Sequence, residues 1–206
     1  MSNIIFPGRV RASRTKSCPP RHQAGFSILE VLIALVIFSL GMLGAVGMQA
    51  AAMQANKETR NQSVAATLAR ELADKMRGNP SIAIRTTAAT NPYLVATTLT
   101  GAAAFSATGE NCFKIACTTP TAIATWDMDD WLNRARNALP DPRIAVCFDA
   151  TPFDAAGLPQ WNCSNTGDIA VVKMAWNSTG TDGVLRFTSG SLLPLIVVPL
   201  TPGTPN

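Results

Sequence analysis

The longest apolar run in the chain covers residues 26–48, FSILEVLIALVIFSLGMLGAVGM, and holds a single ionisable side chain, Glu30. At 1.5 Å per residue it makes a helix about 34 Å long, enough to cross a bilayer. Hydrocarbon offers the backbone no hydrogen-bond partner, so a helix is the expected form. Beyond Met48 the pattern becomes amphipathic. Val64, Leu68, Leu72 and Met76 recur every fourth position, with Met53 on roughly the same side, which predicts that the helix continues and turns this stripe toward a core. Gly78, Asn79 and Pro80 stop it, because Gly or Asn accepts the left-handed cap and Pro cannot extend a helix.

Residues 81–124, rich in Thr, Ala, Ser, Asn and Pro, read as an irregular connection. A second helix is predicted from Thr125 to about Leu139, ahead of Pro140. Thr125 or Asp127 caps it, and Met128, Trp131 or Leu132, Ala135 and Leu139 form its inward side. Four strands follow, at 143–149, 169–176, 184–188 and 193–200. The Asn, Ser, Gly and Asp of 177–183 make a turn that returns the third strand antiparallel to the second, while Pro194 and Pro199 limit the pairing of the last. One face of such a sheet needs a cover, and the stripe around Leu68 and Leu72 supplies it. The expected fold class is α+β: a long N-terminal helix packed on an antiparallel sheet.

Charge changes the picture at the N-terminus. Residues 1–25 contain Arg9, Arg11, Arg14, Lys16 and Arg21 and no acid, which places that end in the cytoplasm and the C-terminal region across the membrane. A secretory signal is a competitor, but its apolar core spans only about 7–15 residues and its cut follows that core. The whole chain has 17 basic and 13 acidic residues, a net charge of +4. Without residues 1–25 it has 12 basic against 13 acidic, a net of −1. The basic balance thus resides in the leader and does not indicate a nucleic-acid partner.

Cys18 lies in that leader. Cys112, Cys117, Cys147 and Cys163 remain, an even number in a region expected outside the cytoplasm, and three pairings are open to them. Cys112–Cys117, closing a small loop, and Cys147–Cys163, closing a loop beside a strand, are favoured. A four-cysteine zinc site lacks its usual C-x-x-C spacing, so no metal is expected. His22, the sole histidine, also falls in the leader, which removes histidine-based triads and metal sites from the mature chain. No Gly-rich phosphate loop follows a strand. The acids Asp127, Asp129 and Asp130 lack calcium-loop spacing and suit a helix start. No catalytic residue, cofactor or enzymatic activity is expected.

Glu30 needs a reason. A carboxylate in the middle of a membrane helix costs about 3 kcal/mol on insertion scales; the plain alternative is a side chain reaching water near the helix end. Gly25 and Phe26 mark the change from basic to apolar sequence, and Glu30 follows Phe26 by four positions. This arrangement resembles the class III leader of type IV pilins and of type II secretion pseudopilins. The resemblance implies that a prepilin peptidase cuts after Gly25, that Phe26 becomes the N-methylated new N-terminus, and that Glu30 serves assembly. A Phe26 ammonium from one subunit set 4 Å from Glu30 of a neighbour gains about 4 kcal/mol at an effective dielectric near 20, which offsets the insertion cost. Gly41, Gly44 and Gly47 weaken the anchor helix locally and let another helix approach closely, or are ordinary membrane-helix glycines.

LARELADKMRGNP, residues 68–80, together with LEVLIALVIFSLGMLGAVGMQ, is similar to the PilV group of minor pilins. That likeness implies residues 1–25 as leader, 26–48 as the membrane-spanning half of the helix, 49–78 as its amphipathic half, and 79–206 as a periplasmic or extracellular domain. It implies the inner membrane and then the surface pilus as location. The implied partners are the prepilin peptidase, other minor pilins, the major pilin and a tip adhesin, in pilus initiation, twitching motility and adhesion. A type II secretion pseudopilin, and a membrane-anchored ligand- or DNA-binding module that does not polymerise, remain the alternatives.

Overall fold

The computed structural model describes residues 25–100, 111–179, 185–187 and 193–203. Residues 1–24 of the expected leader, with Cys18 and His22, lie outside them, as does most of the predicted turn at 177–183. The chain divides into two compact units, one ending at Ala45 and the other beginning at Val46.

Helix α1 (Ile28–Gly78) is unbroken over 51 residues. It begins where the Ser27 carbonyl accepts from the amides of Glu30 and Val31. It ends at Gly78, where the Asn79 amide donates back to the Met76 carbonyl and Pro80 opens the one-turn helix α2 (Pro80–Ala83). The buried stripe of α1 is Ala65, Leu68, Ala69, Leu72, Ala73 and Met76, a spacing of three and four that keeps one helical face on the core. Val64 packs against this core while partly exposed, and Met53, expected on the same face, is exposed. The apolar stripe therefore enters the core from about Val64 onward, while Glu58, a turn and a half earlier, already accepts from Trp176 Nε1 at 3.4 Å and from the Ser178 hydroxyl at 2.8 Å.

Helix α3 (Pro120–Ala138) starts five residues before the predicted Thr125. Its cap is Thr119, whose Oγ1 accepts from the Ala122 amide at 3.1 Å, and Pro120 fills the first helical position. Thr125 and Asp127 do not cap it: the Thr125 hydroxyl donates to the Thr121 carbonyl, and Asp127 is paired with Lys75. The inward face holds Ala124, Met128, Trp131, Leu132 and Ala135, and Trp131 Nε1 donates to the Leu68 carbonyl at 2.8 Å, tying α3 to α1.

The main sheet is antiparallel, with strand order β1-β2-β3-β6, formed by β1 (Val95–Thr100), β2 (Arg143–Phe148), β3 (Ala170–Ala175) and β6 (Ile196–Leu200). β1 falls inside the segment read as irregular, and it pairs along β2 from Val95↔Val146 to Thr100↔Arg143. β4 (Ser178–Thr179) and β5 (Leu185–Phe187) form a separate two-stranded ribbon. The third predicted strand thus pairs with the two residues just after β3 and its loop, and the outer neighbour of β3 is β6, in register from Ala170↔Leu200 to Met174↔Ile196. Ile144, Val146, Phe148, Ala170, Val172, Met174 and Leu200 share one core with the α1 stripe and α3. The other face carries Ala145 and Ala175 beneath Trp161.

Candidate processing and assembly site

Gly25 and Phe26 precede α1, and Glu30 sits in its first turn. A Cβ built on Gly25 would meet nothing within 4 Å. Phe26 is 83% exposed, and the large apolar residues of this segment, from Ile28 to Met48, are all exposed. α1 is long and apolar enough to cross a membrane. Glu30 lies between two shallow apolar grooves, one shared with Phe26 and Phe38 and the other with Leu29 and Ile37. Among the described residues no cation pairs with it. Chemically, this is a hydrogen-bond acceptor of unit charge on a surface otherwise suited to lipid or to other helices.

Several of the domain's charges hold it together. Arg134 grips Glu71 through both guanidinium ends and reaches Asp130 at 2.9 Å, so α3 is clamped to α1. The Arg134 hydrogen bond holds the Glu71 carboxyl below its ordinary range, and Glu71 in turn raises the guanidinium. Lys75 Nζ lies 2.7 Å from Asp127, whose other oxygen accepts from Tyr93 at 3.1 Å. Burial first, then the adjacent Asp127 charge, pushes the Tyr93 phenol up. Asp127 and Asp130, two of the three acids read as a helix start, lie instead in the middle of α3 and are engaged in ion pairs between and along helices.

Cys112 is joined to Cys117 and Cys147 to Cys163, with Cα separations of 5.2 Å and 6.3 Å. Beside the second bridge, Lys173 Nζ meets Asp149 at 2.5 Å with both side chains fully buried, and it also donates to the Asn162 carbonyl at 2.7 Å. Burial raises the Asp149 carboxyl, but the hydrogen bonds from Lys173 and from the Thr151 and Ser164 amides outweigh it and leave it below its ordinary range. Cys147, Asp149 and Cys163 lie within metal-cluster distance. Their sulfurs are bonded to each other and the carboxylate is occupied, so they offer no ligand set. Sequence reasoning missed the Lys173–Asp149 pair. Its only trace was a lysine inside an otherwise apolar strand, AVVKMA.

A long helix, apolar and exposed at its start, whose later turns pack on a small antiparallel sheet, defines an α+β pilin-like protein. Residues 20–46 match the family described as Prokaryotic N-terminal methylation motif, and residues 47–129 match the family described as Type IV pilin Tt1218. The chain thus carries a prepilin motif followed by a type IV pilin domain. This supports membrane anchoring, processing by a peptidase and assembly with other pilins, and a structural rather than catalytic role. No match was found among curated proteins or among solved structures.

Proposed function

We propose that this chain is a minor pilin of the PilV kind, which helps initiate type IV pili near their tip in support of twitching motility and adhesion. The observation that carries the reading is the position of Glu30, a lone acid on the exposed apolar start of α1 with no ion pair among the described residues, four residues after Phe26. Prepilin peptidase cuts after Gly25, leaving Phe26 as a methylated, positively charged N-terminus. Before assembly the subunit spans the inner membrane with its leader in the cytoplasm and its domain outside. In the fibre, Glu30 accepts the Phe26 ammonium of a neighbouring pilin, an attraction strongest where the surroundings exclude water. The remaining apolar face of the anchor packs among the helices of other minor pilins and the major pilin.

The test is N-terminal sequencing of the mature protein together with a Glu30→Ala variant. Mature chains should begin at methylated Phe26, and the variant should be processed but missing from sheared pili. Intact residues 1–25 on chains within pili, or normal incorporation of Glu30→Ala, would sink the reading. Loss of exoprotein secretion with normal piliation in a deletion strain would move the chain to a secretion filament.

A further inference from the structure

The Cys112–Cys117 bridge closes a six-residue loop, CFKIAC, that displays its apolar side chains to solvent. Phe113 is 87% exposed and Ile115 67%, with the exposed Lys114 between them. The Phe113 amide bonds to the Asn111 side chain, and its ring leans edge-on against Trp126 of α3 at 5.6 Å. A cross-linked loop that holds an aromatic and a β-branched side chain outward forfeits little conformational entropy when it docks. Single exposed apolar residues are ordinary. A cation flanked by two of them at the tip of a bridged loop is a knob in need of a socket.

The same domain has such a socket on its opposite layer. An apolar cleft of about 420 Å³ lies on the sheet face turned away from α1, lined by Pro152, Phe153, Ile169, Val171, Val197 and Pro199. Phe153 and Ile169 at its walls are 50% and 51% exposed, so an occupant would cover large apolar surface. Asp168, exposed, stands at its rim. Among the described residues neither Lys114 nor Asp168 has an ion-pair partner. The loop stands on the α3 layer and the cleft on the far side of the sheet, so one chain cannot fill its own cleft.

We infer that the Phe113–Ile115 knob of one copy seats in the Pro152–Phe153–Ile169 cleft of a second copy, with Lys114 set against Asp168. Burial of the two apolar side chains supplies the attraction, and the charge pair selects the register. Because knob and socket are different surfaces, the contact is head-to-tail and not a two-fold dimer. This rests on the filament reading above and adds to it that at least two copies stand side by side.

The test uses the full-length protein with Phe113→p-benzoylphenylalanine in cells that make pili. After irradiation, sheared filaments and the whole membrane fraction are examined separately. The expected product is an adduct of two copies of this chain, mapped by mass spectrometry to residues 149–171 or 197–199. Lys114→Glu should lower its yield about fivefold, and adding Asp168→Lys in the same chain should restore it. An adduct to a different protein, an adduct elsewhere on this chain, no adduct in either fraction, or no rescue by the double reversal overturns the inference. A copy-to-copy adduct in membranes with none of the chain in filaments would instead sink the filament reading and leave the contact standing.

Discussion

Replacing Lys173 with methionine isolates the most costly single group in the domain. Met keeps most of the aliphatic volume and removes the ammonium, which lies 2.5 Å from Asp149 and 2.7 Å from the Asn162 carbonyl at a site with no solvent exposure. Asp149 is then a buried carboxylate held by the Thr151 and Ser164 amides at 3.0 and 3.2 Å. Breaking a buried pair from one side costs about 3–5 kcal/mol, and the two surviving amide bonds place Lys173→Met toward the lower end, about 3 kcal/mol. With a urea dependence near 2 kcal/mol per molar, the midpoint should fall by about 1.5 M. The assay is urea unfolding of the full chain in detergent, with disulfides intact, followed by the near-ultraviolet signal of Trp131, Trp161 and Trp176. Adding Asp149→Asn to Lys173→Met should recover part of the loss, because the uncompensated charge is gone. A midpoint shift under about 0.3 M at unchanged slope would refute the claim that this pair secures the 150–168 loop to the sheet.

The same pair predicts acid sensitivity. The folded Asp149 carboxyl lies below its ordinary value of 3.8, so its contribution is complete above about pH 4 and is lost as pH falls through the folded value. Glu71, lowered through Arg134, adds in the same direction. Urea midpoints should be nearly flat from about pH 7 to 5 and fall below about pH 4, with a smaller fall in Lys173→Met, and an equal fall in both chains would assign the loss to other groups. Leu72 is fully buried in the shared core, so Leu72→Ala should destabilise by about 2–5 kcal/mol in the same assay, and a loss under about 1 kcal/mol would mean the stripe is not closely packed.

Periodicity carries a fold where it is long, and the buried part of α1 was legible for that reason. Four-residue spacing and the Gly78–Asn79–Pro80 stop give both the face and the end of the helix. β2 and β3 were also legible, because both are short, largely apolar runs with β-branched residues, buried along nearly their whole length. β1 was not, because VATTLT is short and Thr-rich in a segment of similar composition. Its strand character comes from pairing with β2, a long-range partner no local window contains. The first turn of α3 was missed although Thr119 followed by Pro120 is a start signal; the acids around Asp127 drew the boundary downstream. The partner of β3 was misassigned because a nearby return strand was preferred to one some twenty residues further on. The chemistry of Gly25, Phe26 and Glu30 was readable as a motif, whereas the knob at Phe113 and the cleft at Phe153 exist only once the chain is folded.

The buried face of α1 alternates large with small: Leu68, Leu72 and Met76 interleave with Ala65, Ala69 and Ala73. Ala65 and Ala69 have no solvent exposure and Ala73 almost none, so the core leaves little room for a longer side chain at these positions. Inheritance should therefore treat the two series differently. Leu and Met can be traded among residues of similar bulk, but a side chain larger than alanine at 65, 69 or 73 would overpack the shared core, so those three sites should drift least among descendants of this chain.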